Sequence, residues 1–98
     1  MKNPELVKAF KAAKWYIESN KERFICCALQ EASFDHSISY LEYLNAKNLI
    51  ETRIGSDIAL EEWLSEHILC SDTQHMIMSE EMRLYRLRWL DSLIAEFS

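Results

Sequence analysis

A chain of 98 residues with a single glycine and a single proline has few places to turn sharply. Tight hairpins and glycine-rich loops draw on both residues, one for positive φ and the other for a fixed φ of about −65°. Pro4 stands at the start and Gly55 past the middle, leaving long stretches free of breakers. A mostly helical fold follows. The length suits one domain with one modest core. A hydrophobic content of 49% places the chain in the globular class. The expectation is an all-α fold, a single compact domain of four to five helices over residues 1–98.

Asn3-Pro4-Glu5 reads as a helix start, with a cap, a first-position proline and an acid at the positive end of the dipole. Leu6, Ala9, Phe10, Ala13 and Ile17 share one face at helical spacing and are expected to be buried. Lys8, Lys11 and Trp15 lie opposite. A tryptophan on the lysine side has two readings, packing within the fold or an interface anchor. Ser19-Asn20-Lys21 breaks the pattern. A second helix is expected from Glu22 to Ser33, with Phe24, Ile25, Ala28, Leu29 and Ala32 as its apolar stripe. Cys26 and Cys27 fall on its other side as small apolar filler.

Phe34-Asp35-His36-Ser37 reads as a connection. Ser39 with Glu42 three residues on has the form of a capping box, opening a third helix that stops at Gly55. Tyr40, Leu41, Tyr43, Leu44, Ala46, Leu49, Ile50 and Ile54 point almost all round it, so this helix is expected to be central. A short helix over Ile58–Ile68, a loop over Cys70–His75 and the Met76-Ile77-Met78 segment follow. The last helix runs from an N-cap at Ser79 to Phe97. Met82, Tyr85, Leu87, Trp89, Leu90, Leu93, Ile94 and Phe97 span an arc of about 200°, which predicts burial against at least two helices. Arg83 and Arg86 fall inside that arc. They are expected to extend to water or to pair with an acid of the third helix, and the alternative gives Arg86 to an acidic group on a partner.

The net charge is −5, which argues against general nucleic-acid binding. The charge is unevenly spread. Residues 1–24 carry six basic and three acidic side chains, residues 25–82 two and eleven, and residues 83–98 three and two. A basic first helix is thus joined to an acidic body. No apolar run is long enough to span a membrane, and the N-terminus lacks the apolar segment of a secretory signal. Cys26, Cys27 and Cys70 are odd in number and suit a reducing cytoplasm.

Reactive chemistry finds little support. His67, Cys70 and His75 stand close in sequence, but structural zinc sites show tighter paired spacing. Cys70 with His67 or His75, and Cys26 or Cys27 with His36, lack any local nucleophile signature. Glu61, Glu62 and Glu66 read as a solvated helix face. One glycine excludes the common phosphate-binding loops. No metal, cofactor or catalytic residue is expected. The residues put forward for a partner are Lys8, Lys11, Trp15, Arg83 and Arg86.

Several stretches together resemble a group of known proteins. They are Phe24-Ile25-Cys26-Cys27-Ala28-Leu29; Ala46, Leu49, Ile50, Arg53, Ile54 and Gly55; Leu60, Glu61, Trp63 and Leu64; and Arg86, Trp89, Leu90, Asp91, Leu93, Ile94 and Glu96. The pattern is similar to small accessory proteins of tailed phages and prophages, over most of the chain after the first helix. The matching positions are mainly core positions and bring no site residues with them. The resemblance implies a non-essential accessory protein acting in the host bacterial cytoplasm, of a sort that binds and modulates or inhibits a host or anti-phage defence protein. The absence of reactive chemistry, with the Lys8, Lys11 and Trp15 face and the apolar arc around Trp89, makes a non-enzymatic binding protein the expectation. Two other classes stay open: a nucleic-acid-associated regulator using the basic first helix, and a self-associating structural protein.

Overall fold

The structure, a computed structural model, describes residues 2–54 and 80–98. Within them lie four helices, α1 (Pro4–Glu18), α2 (Ile25–Phe34), α3 (Tyr40–Ile54) and α4 (Glu80–Phe97), and no strand. The fold is a single all-α domain. Its accessible surface of 5841 Å² is close to the roughly 5800 Å² of a folded monomer of this mass. The expected helix over Ile58–Ile68, the loop over Cys70–His75, the Gly55 stop and the Ser79 cap lie outside the described residues.

α1 begins as its sequence requires. The Asn3 side chain accepts the Leu6 N–H at 3.2 Å, and Pro4 occupies the first turn, where its missing donor costs nothing. The Asn3 N–H donates to the Phe97 carbonyl at 2.8 Å, which ties the start of α1 to the end of α4. α1 ends in a Schellman motif. Asn20 takes a left-handed φ of 59°, its N–H returns to Ile17 and the Lys21 N–H returns to Tyr16. Asparagine tolerates that conformation better than most residues, which is why Ser19-Asn20-Lys21 stops the helix.

α2 starts three residues later than expected. The Schellman turn consumes residues through Lys21, and Phe24 is extended at φ −102° and ψ 143°. α2 closes at Asp35 with His36 in the left-handed region at φ 67°. The Ser37 N–H turns back to Asp35 Oδ1 at 2.8 Å, and Ile38 then drops into the core. α3 opens with the expected capping box. Ser39 Oγ accepts the Glu42 N–H at 3.1 Å, and Glu42 Oε1 accepts the Ser39 N–H at 2.8 Å.

Among the described residues the hub is α1, not α3. α1 packs against α2, α3 and α4, whereas α3 packs against α1 and α2. Ala9 and Ala13 are fully buried and let neighbouring backbones approach α1 closely. Among its described side chains α3 buries Ala46 and Ile50, while Tyr40 and Leu41 stay 67% and 64% exposed. Its apolar residues point all round, but those of its first turn meet solvent. α4 buries Arg86, Leu90, Leu93 and Phe97, a seam narrower than the expected arc. Trp89 is half-buried at the side of that seam. Cys26 and Cys27 are thiols; Cys26 is half-buried and Cys27 exposed, so Cys27 does not serve as filler.

Candidate docking face

The outward side of α1 is a continuous stripe. Pro4, Val7, Lys8, Lys11 and Trp15 fall within an arc of about 100° on the helical wheel. The buried residues Leu6, Ala9, Phe10, Ala13 and Ile17 lie on the other side. Packing of that inner face on α2, α3 and α4 orients the stripe toward solvent.

Trp15 is 52% exposed, so it neither joins the core nor stands loose. Its ring meets the Tyr16 ring edge-on at 5.0 Å, and the Lys21 ammonium sits 5.1 Å from its centroid. Both contacts hold the indole in one orientation while leaving a face open. Lys8 is anchored by Glu42 at 3.2 Å, across the gap to α3. The same Glu42 carboxylate serves the capping box, and the Ser39 N–H, then Lys8, holds its pKa below the usual carboxylate range. Lys2 and Lys11 are exposed and make no ion pair with a described residue. Lys14, at the edge of the stripe, pairs with Asp91 of α4 at 2.7 Å, and that bond raises its pKa.

Where α1 starts and α4 ends, the stripe opens into a shallow groove of about 520 Å³. Pro4, Val7 and Phe97 form its apolar lining, and Lys2, Lys8 and Lys11 stand around it. The Phe97 ring is backed by Phe10, at a centroid distance of 6.5 Å. The α1 wheel signals Pro4 and Val7 beside Lys8 and Lys11. Nothing in the sequence signals Lys2 or Phe97, because the groove exists only where the two ends of the fold meet.

Arg83 and Arg86 do not join this face. Arg83 reaches the end of α1, donating from Nε to the Ile17 carbonyl at 3.3 Å and from a terminal nitrogen to the Glu18 carbonyl at 3.0 Å. It also pairs with Glu80 at 2.8 Å. α1 has no basic residue in its own last turn, so Arg83 supplies positive charge to its negative end. Arg86 does not extend to water. It is 1% exposed, and its guanidinium lies 5.1 Å from the Phe24 centroid. The Phe24 ring gives the planar cation one favourable contact in the core seam.

Two further features escape sequence reasoning. The Tyr16 hydroxyl donates to Asp35 Oδ2, joining α1 to the turn after α2. That bond, with burial second, pushes the Tyr16 pKa up to about 12. Asp35 is pulled below its ordinary value, first by the Ser37 hydroxyl and then by Tyr16. On α4, Tyr85, Arg88, Trp89 and Ser92 line a second groove of about 320 Å³, with Arg88 stacked on Tyr85 at 5.6 Å.

Among the described residues no three His, Cys, Asp or Glu side chains gather where they could hold a metal, and no helix is long and apolar enough to cross a membrane. The candidate set of His67, Cys70 and His75 lies outside them. No family model, curated protein or solved structure matches the chain.

Proposed function

We propose that this chain is a non-enzymatic binding protein that docks a protein partner on the outward stripe of α1. The supporting observation is Trp15, half exposed and braced by Tyr16 and Lys21 on the same side as Lys8 and Lys11. Tryptophan dominates binding energy at interfaces, and a ring already fixed in place loses little entropy on docking. Lysines beside it steer acidic surfaces toward the anchor. The likeness to small phage accessory proteins gives the partner class: a bacterial host or defence protein whose action this chain modulates or inhibits.

The test is capture from bacterial lysate, read by mass spectrometry, with wild type beside the double variant Trp15→Ala, Lys11→Glu. Both positions are exposed, so circular dichroism should match wild type. A protein held by wild type and lost by the variant supports the reading. Equal capture by both moves the interface off α1. A duplex-DNA mobility shift that fades steeply with salt would assign the basic helix to nucleic acid instead.

A further inference from the structure

We infer that the groove between the start of α1 and the end of α4 receives an acidic amphipathic peptide segment, in which carboxylates flank an aliphatic side chain. This rests on the reading of α1 as the docking face and gives its partner a chemistry.

The groove offers two kinds of surface. Its floor is aliphatic and aromatic, from Pro4, Val7 and Phe97. Lys2, Lys8, Lys11 and Ser98 complete its lining. The fold already places one carboxylate here, since Glu42 sits 3.2 Å from the Lys8 nitrogen. Lys2 and Lys11 have no such acid among the described residues. Two lysines with no ion pair among the described residues, beside an apolar floor, call for a ligand that brings both acid and hydrocarbon. A small anion would use the lysines and leave the floor wet. A nucleic-acid backbone would use the lysines too, but offers the floor no aliphatic group.

The length fits as well. From Pro4 to Trp15 the stripe rises about 16 Å, the span of about five extended residues. A segment lying along it reaches the open face of Trp15 with one end while the other fills the groove. Acidic residues along that segment meet Lys8 and Lys11 on the way.

The probe is a short synthetic peptide of glutamate and leucine with a fluorescent label. Controls replace glutamate by glutamine, glutamate by lysine, and leucine by serine. Anisotropy titration against the full chain should show the glutamate–leucine peptide binding and each control weaker by about tenfold or more. Lys2→Glu and Lys11→Glu, both exposed, should each weaken it about tenfold with an unchanged circular dichroism spectrum. Amide NMR shifts should centre on Val7, Lys8 and Lys11. No binding, equal binding of the serine peptide, or shifts centred on Tyr85 and Trp89 would overturn the inference. So would a short DNA duplex that binds tighter than the peptide and moves the same amides. If the peptide fails while lysate capture still depends on Trp15 and Lys11, only the partner's chemistry is wrong. If capture is indifferent to those residues, the docking face itself falls.

Discussion

The Tyr16 hydroxyl and the Asp35 carboxylate stabilise each other at opposite ends of the pH scale. A phenol whose folded pKa exceeds its unfolded value favours the fold while protonated. Its contribution is whole below pH 10.0 and is lost as pH rises toward about 12. Asp35 is depressed, so its contribution is present above the ordinary carboxylate range and fades as pH falls through its lowered value. Tyr16→Phe deletes the alkaline contribution and also removes the second cause of the Asp35 shift, so the acid limb shrinks. Asp35 keeps both bonds from Ser37, the larger cause of its shift, so part of the acid limb survives. Thermal midpoints measured from neutral pH to about pH 12 should therefore fall less steeply above pH 10 in the variant than in wild type. A remaining decline is expected from Lys14, whose raised pKa acts in the same direction through Asp91. An alkaline limb as steep as wild type would show that the Tyr16–Asp35 bond is not formed in solution. The two residues lie nineteen positions apart, and neither carries a mark in the sequence that names the other.

At the scale of the element, what could be read in advance was whatever is local. Asn3-Pro4 and Ser39/Glu42 are caps written within four residues, and both form as their spacing dictates. The buried face of α1 follows from its period alone, and with it the outward position of Lys8, Lys11 and Trp15. The late start of α2 was hidden because a Schellman turn depends on backbone conformation at Asn20. Arg83 capping α1 and Arg86 stacked on Phe24 were hidden because each joins segments more than sixty residues apart. The hub role of α1 among the described residues was hidden for a related reason: apolar breadth made α3 look central, but small residues decide how near helices come. The α3 capping box can be weighed against its ion pair. Ser39→Ala should cost about 1 kcal/mol, lowering the thermal midpoint by about 4–8 °C in a domain of this size. Lys8→Met removes an exposed pair and should cost no more than about 0.5 kcal/mol. The reverse order in thermal melts would mean that the bridge from α1, rather than the cap, holds the start of α3.

For the whole molecule, the arrangement around α1 makes one helix answer for both stability and recognition, on opposite sides. Its inner face holds Phe10, fully buried against Phe97. Its outer face holds Trp15, while Trp89 of α4 occupies the margin between core and solvent. Three aromatic truncations should therefore rank by place in the fold and not by ring size. Phe10→Ala should cost about 3–5 kcal/mol, a large share of the total stability of such a domain. Trp89→Ala leaves a side chain already half wet and should cost about half as much. Trp15→Ala should stay within about 0.5 kcal/mol, since a surface residue outside the core leaves no cavity. Urea unfolding of all three, with midpoints read at constant slope, gives the order directly. If Trp89→Ala proves the costliest, the domain is built around α4, and the stripe on α1 loses the rigid backing that makes it a docking face. If Trp15→Ala costs as much as Phe10→Ala, the indole belongs to the core in solution and cannot serve as an anchor. The separation of the two faces is what allows α1 to change its partner contacts without changing the fold beneath them.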